Sequence, residues 1–332
     1  MKGYIALFLS IALLLLLFPL PALPRSGGGA APATPESSAP AAPESPAPSG
    51  EEGAFRILAG DTVVTLTERE FLIRTLAFEM PASYHTEALK AQAVAAYTYY
   101  GRQRQRRRSS PDPALQGADF AAPDEKFPAE YDETALRQRW GSQFDANYKK
   151  LCAAVDAVTG QYMTYQGEWI DACYFALSCG STEAAAVVWG QEVPYLQPVA
   201  SPGDRLSPDY ETTVTLSAAD VKAALSRAFP DAVFGDAPEE WLQAPTLSAA
   251  GTVAAVTVGG QSVRGTAVRT ALGLRSAAFT YLYKDGGFQF TVHGYGHGVG
   301  MSQYGADYLA RQGYRYEEIL RYYYTGVTLE KP

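Results

Sequence analysis

The chain has 332 residues, with 27 Lys+Arg against 35 Asp+Glu for a formal charge of −8, and 47% of it is hydrophobic. That length holds one large domain or two small ones with a real core, and three cysteines are too few for a disulfide-stapled miniature fold. The acidic balance excludes a general nucleic-acid binder, because neutralising phosphates needs a basic field.

After Lys2 the chain is uncharged from Gly3 to Pro24, and Tyr4 to Phe18 is apolar apart from Tyr4 and Ser10. This is the pattern of an export signal or a membrane anchor. No clean small-x-small cleavage site follows and no lipobox cysteine is present, so residues 1–24 are expected to be an uncleaved membrane helix. Lys2 would stay inside and the rest of the chain would lie outside the cell membrane. Residues 25–54 are dominated by Gly, Ala, Pro, Ser, Thr and Glu. Such a stretch buries too little apolar surface to offset chain entropy and is expected to be a disordered linker. The folded domain is then expected over residues 55–332, facing out of the cytoplasm.

Within that domain, Phe55 to Leu66 reads as a strand, and Thr67 stands as a cap before a helix from Glu68 that must stop near Glu79 because Pro81 disfavours helical geometry at Met80. Alanine-rich spacing predicts a second helix from Thr86 to about Arg104, and a third helical region covers Glu133 to Val158. Tyr162 to Tyr165 and Trp169 to Leu177 read as strands, and Ser217 to Phe229 as a helix capped by Ser217. Strands are expected at Val253 to Val258, around Val263 to Val268, and at Phe279 to Tyr283 and Phe288 to Val292, the last two joined by Asp285-Gly286-Gly287 as a hairpin turn. Helices return at Ser302 to Gln312 and Tyr316 to Tyr323. The order predicts an α+β fold of mixed helices and antiparallel strands forming a cleft.

Four features carry possible chemistry. Glu79 lies between Phe78 and Met80 at a helix C-terminus, where apolar neighbours and the helix dipole both disfavour the ion. That setting suits a general acid, and a solvated helix-end glutamate is the plain alternative. The run from His293 to Ala306 holds five glycines and two of the three histidines, then Ser302 to cap a helix. It reads either as a site-building loop or as a tight connection with a structural His297. Cys173 and Cys179 are six apart, which fits a small disulfide, free thiols, or two ligands of a zinc site that His293 or His297 would complete. Arg102, Arg104, Arg106, Arg107 and Arg108 form a basic run that is either a solvated helix end or a contact for anionic polymer or lipid.

Together, FLIRTLAFEMPASYHTEALKAQAVAAYTYY, CYFALSCGSTEAAAVVWGQEVPYLQPVASPGD, RTALGLRSAAF and GYGHGVGMSQYGADYLARQGYRYEEILRYYYTGV resemble, in order and spacing, the four signatures of the stage II sporulation protein D (SpoIID/LytB) family. The resemblance implies a membrane-anchored peptidoglycan lytic transglycosylase of sporulation. It would act in septal wall remodelling and engulfment, beside a wall amidase/endopeptidase and a membrane scaffold. It implies that Glu79 is the catalytic glutamate, acting as acid and then base, and that His297, Ser302, Gln303 and Tyr304 line the glycan cleft. It also implies a zinc option at Cys173 and Cys179, with no cofactor required for the reaction. Two departures stand out: Ala77 and Phe78 precede the glutamate where a smaller residue is common, and Ala176 to Ser181 differ from the usual His-Ser-Thr-Ser-Gly-Gly run. The rivals are a non-catalytic glycan-binding enhancer of a wall amidase and a zinc hydrolase built on Cys173, Cys179, His293 and His297.

Overall fold

The computed structural model describes residues 53–331. The anchor expected over residues 1–24, and all but the last two residues of the linker expected over 25–54, lie outside the described residues. Among the described residues no helix is long and apolar enough to cross a membrane.

The strand expected over residues 55–66 is a hairpin of β1 (Ala54–Ala59) and β2 (Thr62–Thr67), folded back at Gly60, whose φ of 59° an L side chain rarely adopts. β2 runs straight into α1 (Glu68–Glu79). There the Thr67 hydroxyl accepts from Glu70 N and the Glu70 carboxylate accepts from Thr67 N, a reciprocal cap. α1 stops where Pro81 requires, with Met80 already extended at φ −132° and ψ 145°. α2 (Thr86–Ser109) runs further than expected and carries the arginine run within its last turns. Its alanines, Ala88, Ala91, Ala93, Ala95 and Ala96, are buried and let neighbouring helices approach closely.

The arginine run is neutralised inside the protein. Arg102 and Arg106 meet Asp171, Arg104 meets Glu68, Arg107 meets Asp112 and Arg108 meets Asp119.

β3 (Phe120–Ala121) pairs parallel with β1. The helical region expected over residues 133–158 is broken into α3 (Glu133–Trp140) and α4 (Phe144–Asp156) at Gly141, whose φ of 51° and ψ of −125° interrupt the helix. β4 (Tyr162–Tyr165) forms as expected. The strand expected over residues 169–177 is mostly irregular, leaving only β5 (Glu168–Trp169) and β6 (Tyr174–Phe175). α5 (Ala185–Trp189) follows, then β7 (Glu211–Ser217) and α6 (Ala218–Ala228), capped by Ser217 as expected.

β8 (Leu242–Leu247), β9 (Val253–Val258) and β10 (Gln261–Arg264) form one antiparallel sheet. The strand expected around Val263 to Val268 ends at Arg264 and gives way to α7 (Gly265–Leu272), because Val268 and Leu272, one turn apart, both bury. β11 (Phe279–Lys284) and β12 (Gly287–His293) are joined by Asp285 at φ 50° and Gly286 at φ 77°, the two positive values a two-residue hairpin turn needs. β13 (Met301–Ser302) leads into α8 (Gln303–Arg311), followed by α9 (Tyr316–Tyr323) and β14 (Thr328–Glu330). The fold is α+β as expected, and its sheets are antiparallel except where β3 joins β1 and β13 joins β6.

Two hydrophobic cores form. The larger gathers Phe55, Phe71, Tyr131, Tyr323 and Tyr324 around α2, which packs against α1, α4, α8 and α9. The smaller gathers Val256, Val268, Phe288, Phe290 and Val292 between two three-stranded sheets and α6 and α7. The chain departs for this second lobe at Glu211 and returns at His293, and those two residues face each other across β7 and β12.

Candidate active site

Glu79 is the last residue of α1 and is only 7% exposed. α1 has no basic residue in its last turn to offset the dipole. Burial pushes the carboxyl up to about 7, and hydrogen bonds from Gln303 and Tyr174 pull against that rise without cancelling it. Gln303 Nε2 donates to Glu79 Oε2 at 3.3 Å, and the Tyr174 hydroxyl donates to Oε1 at 3.4 Å. The same Gln303 amide reaches Gln92 Oε1 on α2 at 3.4 Å. The partners of Glu79 are therefore an amide and a phenol, two uncharged donors that favour the carboxylate without outweighing its burial.

Local pairing explains how these groups converge. β13 pairs parallel with β6, matching Met301 with Tyr174 and Ser302 with Phe175, so Tyr174 and the first residue of α8 are delivered together to the end of α1. The glycine loop makes this approach possible. A Cβ on Gly300 would lie 2.0 Å from the Cys173 carbonyl oxygen, and its φ is 80°. The segment after Glu79 is pinned by Lys150, whose Nζ donates to the carbonyls of Ala82 and Tyr84 at 2.9 and 2.5 Å.

The other residues singled out by sequence separate into distinct roles. His297 Nδ1 accepts from Val299 N at 3.1 Å, so Nε2 carries the proton and donates to the Tyr174 carbonyl at 3.1 Å. Burial, with Arg269 nearby, pushes His297 down to about 3 and keeps the ring neutral. Both ring nitrogens are thus engaged in holding the backbone of the residue that touches Glu79. Ser302 is fully buried, accepts from Gly305 N as the cap of α8, and donates to Asp204 Oδ1 at 3.0 Å. Asp204 also accepts from Ser178 N, and burial pushes its carboxyl up to about 6. Tyr304 is half-buried, with its ring edge-on to Tyr84 at 6.3 Å. Of the residues expected to line a cleft, Gln303 touches Glu79 and Tyr304 keeps exposed surface, whereas His297 and Ser302 support the frame.

The zinc option does not fit. Cys152, Cys173 and Cys179 are free thiols, and burial raises Cys173 and Cys179 above the ordinary thiol range, opposing the thiolate a metal needs. Cys179 Sγ donates to the Ala250 carbonyl, and His293 pairs with Glu211. Among the described residues no group of three or more His, Cys, Asp or Glu is placed to hold a metal ion.

Sequence reasoning missed Tyr174, Gln92 and Asp204. Gln92 had a signal, being a polar residue inside the buried alanine run of α2.

A family profile described as "Stage II sporulation protein" matches residues 60–165. The chain is 32% identical over 278 residues to stage II sporulation protein D of Bacillus subtilis (strain 168), covering 82% of this chain and 77% of that protein. It is 35% identical over 272 residues to stage II sporulation protein D of Bacillus amyloliquefaciens, covering 81% of this chain and 76% of that one. It is also 28% identical over 302 residues to the amidase enhancer of Bacillus subtilis (strain 168), covering 76% of this chain but 39% of the enhancer. On the extent of these matches, the chain belongs to the stage II sporulation protein D (SpoIID) family.

Proposed function

We propose that this sporulation protein is a peptidoglycan lytic transglycosylase, tethered to the cell membrane by residues 1–24 and carried outside it on the linker of residues 25–54. The observation that carries this reading is Glu79: a buried carboxyl at about 7, held by an amide and a phenol. At neutral pH such a group is poised both to give and to take a proton.

The reaction needs one such group. Ordinary glycosidases use two carboxyls, one to protonate the leaving oxygen and one to activate water or attack the sugar. In a lytic transglycosylase no water enters. Glu79 protonates the glycosidic oxygen between N-acetylmuramic acid C1 and N-acetylglucosamine O4, and that C1–O bond breaks. The carboxylate then accepts the proton of the muramic acid C6 hydroxyl as O6 bonds to C1, giving a 1,6-anhydro end and regenerating the acid. Gln303 and Tyr174 steady the carboxylate in the interval, through hydrogen bonds that strengthen when the charge appears. His297 acts through Tyr174, and the neutral ring adds no positive charge to a site where a cationic sugar forms.

The similarity to an amidase enhancer supports a second reading, a glycan-binding partner of a wall amidase. One experiment separates the two. Purified peptide-free glycan strands are incubated with the detergent-solubilised full chain or its Glu79→Gln variant, and soluble products are weighed by mass spectrometry. Products ending in 1,6-anhydro-muramic acid from the parent and not from the variant are expected. Intact strands from both, with stimulation of a wall amidase by both, would replace the enzyme with the enhancer.

A further inference from the structure

Arginines in this acidic chain are generally matched by acids. Each member of the Arg102 to Arg108 run that the ion pairs above name has its carboxylate. Arg269 on α7 and Arg275 just beyond it, like Arg74, Arg205, Arg227, Arg264 and Arg321, have no carboxylate within ion-pair distance among the described residues.

Both guanidinium groups address Tyr295 in the glycine loop. Arg275 Cζ lies 4.4 Å from the Tyr295 ring centroid, and Arg269 bears electrostatically on the same side chain. The backbone fixes this meeting, since Gly296 N donates to the Arg275 carbonyl and Tyr295 exchanges backbone hydrogen bonds with Leu177. Arg275 Nε is buried with no hydrogen-bond partner. Arg269 Nε donates only to the Leu274 carbonyl, and burial pulls this arginine down to about 10. A buried cation is normally matched by a counter-charge, and leaving it unmatched is costly. Both arginines are half-buried and both bear on Tyr295, and the idle buried Nε donor of Arg275 leaves an arrangement that an anion would complete.

The position favours an anion carried on the glycan. Two residues after Tyr295, His297 holds the Tyr174 backbone, and Tyr174 holds Glu79. A small recess is lined by Ser276 and Gly296, the residues that directly follow Arg275 and Tyr295, and by His297. Guanidinium forks match carboxylates in a bidentate geometry, and the muramyl unit is the sugar of the strand that bears carboxylates. We propose that Arg269 and Arg275, with Tyr295 between them, form a carboxylate-binding subsite that grips an acidic group of the muramyl unit and sets the register of the strand against Glu79. This rests on the peptidoglycan reading above. The carboxylate is either the lactyl group itself, free when no stem peptide is attached, or one on the stem peptide.

The test measures binding of fluorescent oligosaccharides of equal length to the full chain in detergent, with Glu79→Gln throughout so that strands stay intact. Three ligands are compared: stripped wall strands with free lactyl carboxylates, stem-bearing strands whose lactyl group is an amide, and a chitin oligosaccharide with no carboxylate. Arg275→Gln is expected to raise the dissociation constant for a carboxylate-bearing strand about tenfold and leave chitin unchanged. Arg275→Lys should fall between, keeping charge and losing the fork, and Arg269→Gln should repeat the loss. Whichever wall strand loses affinity identifies the carboxylate. Melting temperatures matching the parent's are required of every variant scored, and Arg275→Lys serves where a glutamine variant fails that check. Unchanged binding of all three ligands by Arg275 and Arg269 variants sinks the subsite and leaves the transglycosylase reading standing. An equal loss for chitin also overturns it. Failure of the parent to bind any wall strand overturns the subsite and the peptidoglycan reading together.

Discussion

Glu79 can hold a proton at neutral pH because α1 ends in the larger core, where the carboxyl is buried and its hydrogen-bond partners are the uncharged Gln303 and Tyr174. Its folded pKa of about 7 lies above the unfolded value, so folding takes up a proton between roughly pH 4.5 and 7. Stability from the neutral acid is complete below that window and is lost as pH rises through it. Glu79→Gln cannot ionise, so its stability relative to the parent should climb from pH 4 to pH 8 by up to about 3 kcal/mol, read by urea denaturation at each pH. A flat difference would mean that the carboxyl is not shifted. Glu79 was legible in sequence because Pro81 ends the helix there and its neighbours are apolar. Tyr174 was not, because its contact spans 95 residues of chain and nothing local distinguishes that tyrosine among 22. His297 and Ser302 were legible as site-builders, but their hydrogen-bond partners Tyr174 and Asp204 are long-range facts.

At the scale of elements, the glycine loop acts by close approach and not only by freedom of φ. Gly300→Ala would set a methyl 2.0 Å from the Cys173 carbonyl oxygen, whereas Gly273→Ala, at φ 65°, meets nothing within 4 Å. The first should cost about 3 kcal/mol or more and the second about 1 kcal/mol, measured by chemical denaturation, and equal costs would assign the whole effect to backbone strain. Helix limits were readable wherever a cap or a proline fixed them, as at Thr67, Pro81, Ser217 and Ser302. α7 was not readable, because eight residues beginning at a glycine directly after a strand give a short valine-containing stretch either periodicity can claim. The break at Gly141 was missed for a similar reason, since a single glycine inside helical spacing is usually tolerated.

Across the whole molecule, the two cores are tied in part by a buried carboxylate whose bridging contacts were not legible in sequence. Glu183, on the larger lobe, accepts from Ser248 Oγ and from Thr252 Oγ1 at 2.6 Å, both on the turn between β8 and β9. Glu183→Ala should leave each core intact and uncouple them, so that calorimetry resolves two melting transitions where the parent gives one. A single, uniformly lowered transition would show instead that the lobes melt as one body. The α+β class followed from the order of helices and strands, but the second core did not, because composition does not change at its borders and strand pairing is non-local. Those borders have one further consequence. Gly294 N donates to the Tyr210 carbonyl at 2.8 Å, so the two ends of the second lobe already touch. A short loop joining them would close the larger fold without rethreading it. The lobe is thus a cassette: insertion, exchange or lengthening at this one seam leaves the helix carrying Glu79 in place.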